Sequence, residues 1–405
     1  MIAALPEGGE EQLEELRELL LTAGVLAVGQ SVQRLDQPHP NTYLGPGKLE
    51  QIKDELKAAD ANLVACDDEL SPRQERNLEA ALGVAVVDRT SVILDIFASH
   101  AGSAEGKLQV ELAQLQYNMA RMRGLWTHLD RLGVGGVGTR GPGETQIETD
   151  RRLARNRITA LKRRLEHVKL NRTVMRAERE RAHLPQIAIV GYTNAGKSTL
   201  LNALTGAEVG VRDRLFHTLD PTTRLLRTGG RDYLLTDTVG FISKLPHQLV
   251  EAFGATLDET RLSDLILHVV DGSAEEEARL EMMRAVEEVL DEIGAAEVPR
   301  LLVFTKADLL TEEQRLWLAN RHSSAVLVSS QSGEGLNQLR ERTIEEFSRH
   351  LRSVRLLIPF DQGARLAELH RIAGDLDRED TAEGSLVTAR LPGAVADRFA
   401  SFEYE

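Results

Sequence analysis

The sequence predicts an α/β protein. It reads as an N-terminal α/β domain with a helical hairpin, a doubly wound phosphate-loop domain, and a small C-terminal α+β domain. Three observations lead there. Short β-branched runs alternate with helix-length amphipathic stretches over residues 8–100 and again from 186 to about 350, the pattern of parallel sheets with helical crossovers. Two long segments between these regions place apolar residues at helical spacing. A glycine-rich loop beginning at Gly191 joins a buried apolar strand to a helix.

Each element follows from local pattern. In the first 105 residues, 12–21, 48–58 and 71–82 have helical periodicity, whereas 25–32, 63–66 and 84–87 are strand-like. Residues 106–184 form the second region. There Leu112, Leu115, Met119 and Met122 recur at helical spacing, as do Leu153, Leu161, Leu165 and Val168, so two long helices fit an antiparallel hairpin. Between them, Gly133, Gly135, Gly136, Gly138, Gly141 and Gly143 predict a mobile loop, because such a chain cannot offset its ordering entropy alone. Pro185 stops the second helix and opens the region 185–350, with strands expected at 187–190, 233–236, 265–270, 301–304 and 326–329. Residues 351–405 read strand, helix, strand and short helix.

Composition sets the outer limits. The 405 residues are 42% hydrophobic and 28% charged, an ordinary globular balance. Cys66 is the only cysteine, so no disulfide can form within the chain, and a reducing compartment, the cytoplasm, is expected. The first residues are acidic and unlike a secretion signal, and no apolar run approaches the roughly 18 residues of a membrane helix, so no membrane insertion is expected. The net charge is −14, which argues against a nucleic-acid partner. Residues 107–183 depart from it, with 17 basic against 8 acidic side chains. That asymmetry fits either a solvated helical face or a contact with nucleic acid.

The chemistry lies in five short motifs. Gly191, Tyr192, Thr193, Asn194, Ala195, Gly196, Lys197, Ser198 and Thr199 form a phosphate-cradling loop in a strand-to-helix setting. Glycines there let backbone N–H groups turn onto phosphate oxygens, and the helix N-terminus adds positive potential. Lys197 would reach the β- and γ-phosphates and Ser198 would ligate Mg²⁺. Phe216, His217, Thr218, Leu219 and Asp220 follow, with Thr218 a second candidate Mg²⁺ ligand. Asp237, Thr238, Val239 and Gly240 come next, Asp237 suiting a water-mediated Mg²⁺ contact and Gly240 offering its N–H to the γ-phosphate. Thr305, Lys306, Ala307 and Asp308 read as the base motif, in which the Asp308 carboxylate accepts from two guanine N–H groups that adenine lacks. Thr305 stands where asparagine is usual. Ser329, Ser330 and Gln331 would bring backbone N–H groups to the guanine oxygen. GTP and GDP are thus the expected ligands.

These motifs in this order resemble a translation-factor-related GTPase, and further segments narrow the likeness. Residues 41–50 (NTYLGPGKLE), 140–146 (RGPGETQ), 148–152 (ETDRR), 216–224 (FHTLDPTTR) and 237–242 (DTVGFI) together resemble the HflX family over essentially the whole chain. The resemblance implies a GTPase that binds the large ribosomal subunit, including its RNA, and splits stalled ribosomes. It places GTP at the residues named above and Mg²⁺ on Ser198 and Thr218. Two positions depart from the family pattern: Thr305, and His217 where a smaller residue is commoner. Lys197, Thr218, Gly240 and Asn194 are the candidate catalytic groups. Asn194 resembles the loop asparagine of GTPases that recruit K⁺. Phe241 occupies the place where many GTPases carry a water-orienting glutamine, so slow, partner-stimulated hydrolysis is expected. Two other functions fit the same motifs: a nucleotide-gated ribosome-binding factor whose hydrolysis only times release, and an RNA-modification GTPase.

Overall fold

The structure is a computed structural model. It describes the chain except residues 6–12, 130–141, 182–183, 208–214, 217–220, 245, 247–248, 250–253, 350, 374–375 and 405. The chain divides into two compact units. The first comprises Met1–Leu170, Asp213–Asp220 and Lys244–Ala255; the second comprises the remainder.

The first unit is built on a four-stranded parallel sheet, β1 (Ile2–Leu5), β2 (Ser31–Arg34), β3 (Leu63–Cys66) and β4 (Ala85–Asp88), in the order β2-β1-β3-β4. Helices Glu14–Thr22, Pro46–Ala58 and Pro72–Leu82 connect the strands. Ser71 starts the third of these by a capping box with Gln74, and Gly83 ends it in the left-handed conformation. Two elements differ from the sequence expectation. The strand expected over 25–32 is formed only at Ser31–Arg34, because it pairs with β1, which ends after four residues. β1 itself and the helix Arg89–His100 were not expected; Asp88 caps that helix by accepting from Ser91 N at 2.8 Å.

The long helices span Ala104–Leu129 and Pro142–Arg181. Leu112, Leu161 and Leu165 form a small core with Leu108, Leu115 and Ile158 around them. Leu153, expected in that apolar stripe, is exposed, and Ala154 faces inward instead; Ala154, Ile158, Leu161 and Leu165 keep the i, i+4, i+7 spacing that Leu153 breaks. The second helix begins at Pro142, a residue preorganised for a first helical position. Residues 142–146 of the expected loop are therefore helical, and Gly133, Gly135, Gly136, Gly138, Arg140 and Gly141 lie outside the described residues.

The second unit carries a six-stranded sheet of β5 (Gln186–Gly191), β6 (Thr222–Thr228), β7 (Arg231–Asp237), β8 (Leu265–Asp271), β9 (Arg300–Thr305) and β10 (Val326–Leu327), in the order β10-β9-β8-β5-β7-β6. All pairings are parallel except the β6–β7 hairpin. Ile187, Ile189, Leu235, Leu267, Val269 and Val303 fill its core against helices Lys197–Thr205 and Leu336–Ser348. The tail forms an antiparallel sheet, β11 (Leu351–Ile358), β13 (Ser385–Pro392) and β12 (Asp377–Asp380), with its own core of Val354, Leu356, Leu369, Val387 and Leu391. The α/β class and its three-part character are as the sequence predicts. β6 makes the central sheet mixed.

Candidate functional site

Because β5, β7, β8, β9 and β10 run parallel, their C-terminal ends leave the sheet at one edge, where open α/β sheets gather ligand-binding loops. The loop after β5 is tight. A Cβ at Gly191 would stand 2.1 Å from the Val269 carbonyl oxygen, so only glycine fits beside β8. Asn194 and Gly196 adopt left-handed backbone at φ 60 and 85, which turns the chain into helix Lys197–Thr205. Thr193 N donates to Phe241 O at 2.7 Å and Phe241 N to Gly191 O at 3.1 Å. The loop after β7 is thereby laced to the phosphate loop, and Tyr192 and Phe241 are bridge partners.

The polar centre lies between these two loops. The buried Lys197 ammonium donates to Tyr192 O at 2.6 Å. Burial pushes its pKa from 10.5 down to about 8, against the nearby Asp237 carboxylate, which raises it. Ser198 Oγ donates to Asp237 Oδ2 at 2.5 Å. Thr238 Oγ1 donates to Ile189 O at 2.8 Å and fixes the start of the Asp237–Gly240 turn. A Cβ on Gly240 would come within 2.9 Å of Lys197 Nζ, so the bare backbone of Gly240 lies against the lysine. Asn194 is exposed, whereas Ala195 is buried and Thr199 half-buried.

The base motif adjoins the phosphate loop through Thr305. Its hydroxyl donates to Ala195 O at 2.7 Å, with Val270 O also near at 3.1 Å. A side chain shorter than the usual asparagine thus braces the phosphate loop directly. Lys306, at φ 55, pairs with Asp271 at 2.7 Å, and Ala307 N donates to Val328 O at 3.1 Å. Asp308 is exposed in the short 3-10 turn Ala307–Leu309. Ser329 is buried and its N–H is engaged by Glu334 O at 3.0 Å; Ser330 is half-buried and Gln331 exposed.

Residues 191–199, 237–240, 305–308 and 329–331 therefore belong to one edge of one sheet. Phe216 belongs to the first unit, buried edge-on against Phe97 with ring centroids 4.6 Å apart. His217, Thr218, Leu219 and Asp220 lie outside the described residues. Sequence reasoning missed Asp271, although an Asp-Gly pair at the end of an apolar run was the available sign. It also missed the Tyr192 hydroxyl, which accepts from Ser243 N at 2.7 Å.

Comparison with known proteins gives consistent matches. Three family descriptions match in succession: "GTP-binding GTPase N-terminal" over 10–98, "GTP-binding GTPase Middle Region" over 100–179, and "50S ribosome-binding GTPase" over 186–306. A GTPase HflX of Lacrimispora saccharolytica is 49% identical over 97% of this chain and 93% of its own length. A GTPase HflX of Escherichia coli is 46% identical over 91% of this chain and 88% of its own. Among solved structures, a GTP-binding protein of Sulfolobus solfataricus in complex with GDP is 28% identical, covering 86% of this chain and 99% of that one, at a TM-score of 0.45.

Proposed function

This chain belongs to the HflX family of GTPases, and on that premise we propose that it binds the large ribosomal subunit and uses its GTP cycle to split stalled ribosomes. The observation that carries the nucleotide part is the junction of β5 with helix Lys197–Thr205, where Lys197, Ser198 and Asp237 converge. The β- and γ-phosphates lie along the N–H groups of residues 191–199 at the helix N-terminus. On binding, Lys197 exchanges the Tyr192 carbonyl for phosphate, which compensates the charge that burial disfavours. Gly240 presents its N–H to the γ-phosphate, and Asp308 selects guanine.

The Ser198 hydroxyl and Asp237 carboxylate, 2.5 Å apart, suit a Mg²⁺ ion held by Ser198 with Asp237 behind it. Thr218 is the proposed second ligand. When bound, the ion neutralises charge on the β- and γ-phosphates. Phe241 is buried and has no group to orient water, so the slow step awaits a partner or a monovalent cation. Asn194, exposed in the phosphate loop, is the proposed K⁺ ligand.

Ribosome binding rests on the name of the matching family, "50S ribosome-binding GTPase", and on the excess of basic residues over 107–183. Arg152, Arg155, Arg163 and Arg164 are exposed along the second long helix, where phosphate attraction outweighs the net negative charge locally. Residues 133–146 and Arg140 are the proposed ribosomal RNA contact. Among the described residues no helix is long and apolar enough to cross a membrane, and we place the protein in the cytoplasm.

The test is cosedimentation and splitting of ribosomes with GTP, GDP and a non-hydrolysable analogue. Splitting with GTP, lost when 133–143 are replaced by a short linker while GTP affinity is kept, supports the reading. Wild-type splitting by that variant refutes the role of the loop. Splitting that is equal with the analogue identifies a binding-driven factor, with hydrolysis acting as a timer.

A further inference from the structure

The β6–β7 hairpin turns through Gly229 and Gly230, at φ 56 and 69, and the next residue, Arg231, is buried. A guanidinium is charged at any physiological pH and needs acceptors when desolvated. Arg231 finds few. Its Nε donates to Ile372 O at 2.7 Å, and it meets the Tyr233 hydroxyl. Its Nη2, shielded from water, has no hydrogen-bond partner. No described carboxylate forms an ion pair with it.

The same arginine lines a cleft of about 680 Å³ formed by the hairpin, helix Leu336–Ser348 and the tail sheet, all within the second unit. That volume is in the range of small-molecule sites. The other polar lining groups are Ser348, Ser353, Asp377, Thr388 and Arg390. Register places Ser353 opposite Arg390 and Asp377 opposite Thr388, so the four side chains share the face of the tail sheet away from its core. Arg390 is a second guanidinium, at the exposed rim.

We propose that this cleft is a binding site for a small oxyanion-bearing molecule, a phosphate or carboxylate compound, held by Arg231 with Arg390 at the rim. The Arg231 side chain lines the cleft, and on binding it turns so that the oxyanion supplies the acceptor that the shielded Nη2 lacks. Ser348, Ser353 and Thr388 contribute hydroxyls, and Asp377 accepts from hydroxyl groups on the rest of the ligand. Burial lowers the pKa of Arg231, in keeping with a cation whose charge is uncompensated by the protein alone. Nothing in the GTP site uses this arginine.

The full-length protein saturated with GDP, which keeps the phosphate loop filled, is titrated with inorganic phosphate in one arm and acetate in the other, by calorimetry. Saturable binding of at least one probe is expected, and the arm that responds tells phosphate from carboxylate. Arg231→Met should weaken binding about tenfold to a hundredfold, the loss of one charge-assisted hydrogen bond, and leave GDP affinity unchanged. Ser353→Glu, at an exposed position, places a carboxylate in the cleft and should abolish the response even if Arg231→Met fails to fold. Absence of saturable binding in both arms overturns the proposal. So does phosphate binding that survives both substitutions, which would place the anion outside this cleft.

Discussion

Replacing Thr305 by valine should loosen the phosphate loop without touching nucleotide. The side chains are nearly isosteric, and Thr305 is only 2% exposed, so packing is kept and the hydroxyl alone is lost. That hydroxyl has one proton, given to Ala195 O at 2.7 Å; the 3.1 Å approach to Val270 O adds little. Losing a neutral hydrogen bond costs about 0.5–1.5 kcal/mol, and leaving the buried Ala195 carbonyl unpaired brings the total to about 1–3 kcal/mol. In a unit of this size each kcal/mol lowers Tm by about 2–4 °C, so a drop of about 2–12 °C is expected in the nucleotide-free protein. Ala195 is part of the phosphate cradle, so the Kd for GDP should rise on the order of tenfold, equivalent to 1.4 kcal/mol. Thermal unfolding and fluorescent GDP titration measure both. Thr305→Ser, which keeps the hydroxyl, should behave as wild type. A valine variant with wild-type Tm and a Kd within about twofold would refute the bracing role of Thr305.

Lys197 gives a pH signature. Its pKa is about 8 when folded against 10.5 otherwise, so between those values the unfolded chain binds more protons and stability rises with pH. Lys197→Met should remove that rise, on the order of 3 kcal/mol, from the nucleotide-free protein, and should also abolish tight GTP binding; parallel stability-versus-pH curves for the two proteins would contradict this. Asp308→Asn should shift preference from guanine to xanthine nucleotides, read by competition with XTP, and ATP competing equally with GTP in the wild type would sink the assignment of the base motif. Hydrolysis should be faster in KCl than in NaCl, and Asn194→Ala should erase the difference; equal rates in both salts would remove K⁺ from the scheme.

The nucleotide edge was legible because its geometry restricts residue type at single positions. Gly191, Gly196 and Gly240 each occupy a position where a side chain collides or the backbone is left-handed, and such constraints appear in sequence as motifs. β3 was found at its true bounds, since a short apolar run fenced by polar residues has one reading. β1 and β6 were not. Ile2–Leu5 is too short for periodicity to show, and it becomes a strand only because β2 and β3 pair with it from 29 or more residues away. Thr222–Thr228 carries threonine and arginine on an edge, where pairing with β7 supplies what hydrophobicity does not. The Lys306–Asp271 pair was hidden for the same reason: nothing local relates residues 35 positions apart. Arg231 is the extreme case, a turn-flanking arginine whose partner is the carbonyl of Ile372.

Asp237 faces Thr222 on one side and Ile189 on the other. One rung of the ladder thus fixes how far along the sheet the carboxylate stands from the phosphate loop. Side chains alternate faces along a strand, so inserting or deleting a single residue anywhere in 223–236 would either bulge the hairpin or turn Asp237 away from Ser198. Length changes in this hairpin are survivable only in matched pairs, one residue in each arm. The spacing between the FHTLDPTTR and DTVGFI segments is therefore a ruler as well as a linker, and a chain with the right motifs at the wrong spacing would not build this site.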